Sequence, residues 1–173
     1  VAMGEDAKMK TRLPLFLLAS LSVVATASAE SDATGLPRSP LLGSWAVDIA
    51  RLPIPPENRP KSVTFTFAEA EAGNWTTSID IIGADGTLRH MTSIYQRDGA
   101  AVPIQGDRQE ADAVAVVTPS PNIMVVALAK DGHPASTRVY SVSSDGTTMI
   151  EEAVSYNDIG APVIRTNRLT RVR

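Results

Sequence analysis

Two short segments of the chain place their large apolar residues at alternate positions. In SVTFTFA, residues 62–68, Val63, Phe65 and Phe67 fall on one side and the threonines on the other. In WTTSIDI, residues 75–81, the tryptophan and both isoleucines alternate with threonine, serine and aspartate. A period of two is that of a β-strand with one buried face. Both segments are therefore predicted to be half-buried strands.

Asp-Gly pairs recur along the same part of the chain and indicate hairpins, because both residues tolerate the positive φ angles of tight turns. The pairs begin at Asp85, Asp98, Asp131 and Asp145. Further strands are predicted near residues 41–48, 87–95, 112–118, 122–129, 135–143, 147–156 and 162–172. Since closure removes exposed strand edges, we predict an all-β fold, a single antiparallel up-and-down meander that closes into a β-barrel of about 8–10 strands.

Two segments depart from this pattern. NIMVVALA, residues 122–129, is apolar on both faces, which predicts either a strand covered on both sides or a surface for a partner. IARLPIPPENRPK, residues 49–61, contains four prolines, which exclude a helix or a central strand. We predict a long loop that lies over one rim of the barrel as a lid or plug.

The beginning of the sequence has the pattern of a secretory signal peptide. Lys10 and Arg12 precede the apolar run LFLLASLSVVA, and the small residues ASA at 27–29 fit a cleavage site. The apolar core, about 11–13 residues, is shorter than the roughly 20 that cross a membrane as a helix. We predict translation from Met9 and cleavage near Ala29-Glu30, which gives a periplasmic or secreted protein.

Composition narrows the class further. The chain has no cysteine, so it forms no disulfide, thiolate metal site or lipid anchor on cysteine. Its formal net charge is −3, and it has no cluster of basic residues that would bind nucleic acid or a membrane surface. We divide it into residues 1–29, upstream residues plus signal peptide; 30–40, a flexible lead; and 41–173, one barrel domain.

The ends of the predicted domain carry a Gly-x-Trp sequence, in LLGSWAVD at 41–48, and an arginine-bearing last strand, NRLTRVR at 167–173. Together they resemble the calycin pattern of lipocalins and fatty-acid-binding proteins. A wider resemblance is to small secreted bacterial lipocalin-like domains of unknown function. It rests on Pro60-Lys61-Ser62, on PIQG at 103–106 and on RVYSVSSDGTTM at 138–149.

The resemblance implies a lipocalin-like barrel in which three residues close one end. Trp45 would pack there beneath Arg171 of the last strand, and Gly43 would leave room where the first strand bends. Trp45 also carries an indole N–H that needs a partner near the rim.

The sequence offers little chemistry for a reaction. His133 lies in a predicted turn, and His90 alternates with Leu88, Thr92 and Ile94, which predicts a histidine of the core or barrel wall. Two histidines without a paired ligand motif do not predict a metal site, and no Gly-rich phosphate loop or nucleophile elbow is present. No catalytic residue, metal or cofactor is therefore predicted.

Strand parity suggests which polar residues face the barrel interior. Arg165 and Asn167 share a face with Arg171, so they point inward if Arg171 does, and Arg138 shares a face with Tyr140. We predict that Tyr95, Arg138, Tyr140 and Arg165 bind ligand. An arginine guanidinium can donate two parallel hydrogen bonds to the carboxylate of an acidic ligand. The alternative is that these arginines face solvent.

If Arg165 points inward it is a buried cation and requires a counter-charge. One candidate is a carboxylate of the ligand. The other is Glu151 or Glu152 on the neighbouring strand, which point to opposite faces.

Three functions remain open at this stage. The first is a secreted or periplasmic binding module for a small apolar or amphipathic molecule. The second is a structural or interaction barrel with a filled core and a protein partner. The third, for which the sequence supplies no acid-base pair, is an isomerase or cyclase that acts by binding and shape. Nothing in the sequence indicates an oligomeric state.

Overall fold

A computed structural model of the protein describes residues 38–172, which form eleven β-strands. The predicted signal peptide and most of the predicted lead lie outside the described residues. The strands are β1 (Gly43–Val47), β2 (Ser62–Glu69), β3 (Trp75–Ile82), β4 (Leu88–Tyr95), β5 (Asp98–Pro103), β6 (Gln105–Gly106), β7 (Ala113–Ser120), β8 (Ile123–Lys130), β9 (His133–Val142), β10 (Thr148–Tyr156) and β11 (Pro162–Arg171). Short 3-10 turns span Ile49–Arg51, Pro56–Asn58 and Glu71–Gly73.

The strands form one antiparallel sheet in the order β5-β7-β8-β9-β10-β11-β1-β2-β3-β4-β6. Its two edges, β5 and β6, are consecutive in the chain and are separated by Ile104 alone. Ile104 is buried, and its N–H donates to the carbonyl of Asp112 at 2.8 Å. The chain therefore crosses from one edge to the other at this residue and nearly closes the barrel. The predicted all-β barrel is confirmed.

The sequence does not predict the two edge strands β5 and β6, because Asp98-Gly99 indicates a turn there. In the structure the turn comes before β5, where Arg97 takes a φ of 61°. Asp98 then begins β5 and pairs with Val117 of β7. Asp131-Gly132, by contrast, lies between β8 and β9 with both φ angles positive, as predicted.

The alternating segments bury the faces that their patterns indicate. Phe65 and Phe67 of β2 are buried, as is Trp75 of β3. They join an apolar core that fills one end of the barrel, where several side chains have no exposed surface: Leu41, Trp45, Met124, Met149 and Leu169. Removal of this surface from water stabilises the fold.

On β8 only one of the two apolar faces is covered within the described residues. Met124 and Val126 are buried in the barrel, whereas Ala127 on the opposite face is exposed. The expectation of a strand covered on both sides is therefore wrong for this part of the chain. The alternative, a surface for a partner, stays a prediction.

The expectation for His90 is also wrong. The buried positions of β4 are Ser93 and Tyr95, so His90 lies on the outer face. Its Nδ1 is 2.7 Å from Oδ1 of Asp80, and its side chain is half exposed. The prediction failed because the two alternating sets of β4 are equally mixed in polarity and do not reveal which one faces inward.

Candidate functional site

One end of the barrel is closed by Trp45 and Arg171. The guanidinium carbon of Arg171 lies 4.1 Å from the centroid of the Trp45 ring system, within the range of a cation–π contact. The indole Nε1 donates to the carbonyl of Leu41 at 2.9 Å. Arg171 in turn donates to the carbonyls of Leu42 and Gly146, each at 2.7 Å. The stacked pair thus ties the last strand to both the segment before β1 and the β9–β10 turn.

Gly43 makes this stacking sterically feasible. Its φ is +116°, and a Cβ placed on it would lie 2.6 Å from a guanidinium nitrogen of Arg171. Glycine is therefore required both by the backbone angle and by the close approach of the arginine. The structure brings all three residues of the predicted closure together.

The opposite half of the lumen holds a cavity of about 450 Å³. The proline-rich loop of residues 49–61 contributes Leu52, Ile54 and Pro60 to its lining, as a lid would. Val63 and Ile81 form part of an apolar wall. A partly apolar cavity with a few convergent polar groups is the usual form of a small-molecule site.

Several polar residues at the cavity lie on β9, β10 and β11 in rows set by the strand register. In the deeper row Glu151 stands between Tyr140 and Asn167. In the next row Ala153 stands between Arg138 and Arg165. Neighbouring strands are about 4.8 Å apart, so the backbones of the two arginines are separated by roughly 10 Å across a small side chain. We call this second set the arginine row.

Glu151 is buried in the deeper row and is held by three donors. Its carboxylate accepts hydrogen bonds from the Tyr140 hydroxyl at 2.7 Å, from Asn167 Nδ2 at 2.7 Å and from Arg138 at 3.2 Å. The Glu151 side chain is 3% exposed. A buried carboxylate in this position is stable because it is paired and hydrogen-bonded on both oxygens.

The protonation of the neighbours follows from their surroundings. Burial raises the pKa of Tyr140 well above its ordinary value, and the adjacent Glu151 raises it further. Burial alone would lower the pKa of Arg138, but Tyr140 and the two carboxylates Glu110 and Glu151 outweigh it, so the pKa is raised. Tyr140 is therefore a neutral donor and Arg138 a permanent cation.

Arg165 faces the cavity, as its predicted parity requires, but it is not a buried cation. It lies at the mouth, exposed, and forms no salt bridge with any residue of 38–172. Of the two candidate counter-charges, the one in which Glu151 or Glu152 pairs with Arg165 does not hold. Glu151 pairs with Arg138, and Glu152 lies on the outer face, where it accepts from Thr166 at 2.8 Å.

A second carboxylate reaches Arg138 from the connection between β6 and β7. Glu110 pairs with the far nitrogen of the guanidinium, and its own side chain remains 59% exposed. Asp107 of the same connection pairs with Arg89 of β4 at 2.6 Å. The hydrogen bond from Arg89 holds the pKa of Asp107 below its ordinary value.

The Glu110–Arg138 pair borders two cavities of the lumen. Both residues line the large cavity and also a second, mostly apolar cavity of about 60 Å³. Val114, Val116 and Val126 form part of the apolar wall of the small cavity. The ion pair is therefore part of the wall that the two cavities share.

Of the four residues predicted to bind ligand, Arg138 and Arg165 line the large cavity, and the buried Tyr140 lines only the small one. Tyr95 lies elsewhere. The Tyr95 side chain is buried in the core, its hydroxyl hydrogen-bonds with that of Thr77 at 2.5 Å, and it lines neither cavity.

Sequence reasoning missed Glu110 and left the side of Glu151 undecided. Asn167 lines the cavity, on the inward face that its parity with Arg165 and Arg171 predicts. Glu110 lies in an irregular connection, for which no periodic signal exists.

Residues 38–172 contain neither a cluster of metal-ligating side chains nor a membrane-crossing helix. No group of three or more His, Cys, Asp or Glu side chains is arranged to hold a metal ion. No helix in this range is long and apolar enough to cross a membrane.

No protein family profile matches the chain, and no curated protein matches its sequence. Among solved structures, the fold is similar to that of the fluorescent protein UnaG. Wild-type UnaG has 13% sequence identity and a TM-score of 0.48, over 76% of this chain and 97% of that chain. An asparagine-to-alanine variant of UnaG has 14% identity and a TM-score of 0.49, over 78% of this chain and 97% of that chain.

Proposed function

We propose that this protein is a calycin-like binding module for a small amphipathic molecule with an anionic group. The molecule would lie in the lumen beneath the proline-rich loop. Its apolar part would contact the wall that includes Val63 and Ile81, and its anionic group would meet the arginine row. The observation that carries the proposal is Arg165, a cation that faces a cavity of about 450 Å³ and has no salt-bridge partner among residues 38–172.

The size and lining of the cavity support this ligand class. Cavities that bind small molecules usually measure about 300–1,000 Å³ and are mostly apolar with few polar groups. The small side chain of Ala153 between Arg138 and Arg165 leaves space on the wall for a carboxylate. The closed end, by contrast, is packed by Trp45 and Leu169 and offers no such space.

Localisation is a further part of the proposal. We propose that the protein acts in the periplasm or outside a bacterial cell, supported by the signal-peptide pattern of residues 9–29. Expression from Met9 followed by N-terminal sequencing would give a mature chain that begins at Glu30. A cytoplasmic form that retains residues 9–29 would contradict this part.

The ligand class can be tested by calorimetric titration with decanoate and with decan-1-ol, which lacks the charge. We expect Arg165→Leu to weaken decanoate binding about three- to tenfold, because an exposed ion pair contributes roughly 1 kcal/mol. Decan-1-ol should bind wild type and variant equally.

The matched control is Arg168→Leu, an exposed arginine on the outer face of the same strand. It should leave both titrations unchanged. If wild-type protein binds neither probe at millimolar concentration, the proposed function is wrong.

A further inference from the structure

The inference concerns Glu110 and rests on the proposed function. We propose that the carboxylate of Glu110 occupies the place on Arg138 that the anionic group of the ligand takes, so that binding exchanges one carboxylate for the other. Glu110 would thereby set which ligands bind, since a molecule without a negative charge could not replace it.

The two carboxylates on Arg138 are held very differently. Glu151 is 3% exposed and also accepts from Tyr140 and Asn167. Glu110 is 59% exposed, and within the described chain its side chain has Arg138 as its one hydrogen-bond partner. The release of Glu151 would leave the buried Tyr140 hydroxyl and the part-buried Asn167 amide without an acceptor, whereas Glu110 can turn into water. Glu110 is therefore the carboxylate that can leave.

The net charge around Arg138 favours replacement of Glu110 by the ligand anion over binding of the anion beside Glu110. Arg138 is already neutralised by Glu151, and Glu110 brings this cluster to a net charge of −1. Arg165 restores neutrality across the arginine row. An added ligand anion would face Glu110 at close range in a confined lumen, where like charges repel more strongly than in water. If Glu110 leaves, the anion meets Arg165 and the vacated edge of Arg138 together.

The experiment is calorimetric titration of the full chain carrying Glu110→Gln or Glu110→Ala. Both variants remove the competing charge, and the alanine variant also removes the side chain that could still accept from Arg138. We expect each to bind decanoate about three- to tenfold more tightly than wild type, and decan-1-ol with unchanged affinity. Glu152→Gln removes the same charge from the outer face of the barrel and should change neither titration.

The outcomes separate this inference from the proposed function. If Arg165→Leu weakens decanoate binding but both Glu110 variants bind decanoate as wild type does, or more weakly, the function stands and the exchange is wrong. Equal tightening by Glu152→Gln would also overturn the exchange, because it would trace the effect to net charge alone. If no form of the protein binds either probe, the function fails and the inference with it.

Discussion

The buried pair of Arg138 and Glu151 gives a sharp test of the lumen geometry. Glu151→Met would remove the acceptor of three hydrogen bonds, leaving the buried Tyr140 hydroxyl without a partner and the part-buried Asn167 amide without its acceptor. Each orphaned donor costs about 1–3 kcal/mol, and the loss of one member of a buried ion pair costs about 3–5 kcal/mol. Because Arg138 keeps Glu110 as a partner, we expect a loss of about 4 kcal/mol in the free energy of unfolding.

The double variant separates the ion pair from simple loss of volume. Arg138→Met leaves Glu151 with two neutral donors and should cost about 3 kcal/mol. Arg138→Met with Glu151→Met leaves neither charge buried and unpaired, so its cost should fall short of the sum by about 2–3 kcal/mol.

Urea unfolding followed by tryptophan fluorescence measures all four corners of this cycle. A cost below about 1 kcal/mol for Glu151→Met, with additive single and double variants, would refute the reasoning. That result would mean that Glu151 is solvated and that β10 faces the lumen with its other side.

Three further changes test separate parts of the structure. Trp45→Ala should lower the free energy of unfolding by about 3–5 kcal/mol, as truncation of buried aromatics does; an unchanged urea midpoint would show that Trp45 does not close the barrel. Gly106→Ala should destabilise the protein more than Gly132→Ala in thermal unfolding. Both glycines have positive φ, but only at Gly106 would the new Cβ meet a backbone oxygen, that of His90 at 2.3 Å. Equal effects of the two substitutions would contradict this. The lowered pKa of Asp107 implies stability that is present above its unfolded pKa of about 3.9 and is lost as the pH falls through the lower folded value. Asp107→Asn should therefore flatten the pH dependence of the urea midpoint below about pH 4. An unchanged slope would contradict this prediction.

Much of the barrel could be predicted from the sequence because strand alternation and turn chemistry are local. The alternation of Val63, Phe65 and Phe67 identifies a buried face by itself, since the other face is all threonine. The meeting of Gly43, Trp45 and Arg171 was expected instead from the resemblance to the calycin pattern, not from a local signal. Asp131-Gly132 folds as its residue types require.

The remainder depends on register and on irregular chain, neither of which has a local signal. Glu151 and Glu152 sit between equally apolar neighbours, so only pairing with β9 and β11 shows which of them faces the lumen. The same ambiguity misplaced His90. Glu110 reaches Arg138 from a connection between strands, and its position depends on where the barrel closes at Ile104.

The central claim is that the lumen holds a small anionic amphiphile. Native mass spectrometry of the protein purified from its own host, beside a variant with Ala153→Phe, tests it most directly. Ala153 lines the cavity between the two arginines, so the phenylalanine would fill the space for the ligand. We predict that the wild-type protein carries an additional small mass with an acidic group and that the variant does not. Equal masses of bound material on both proteins, or none on either with no binding of added decanoate, would contradict the account.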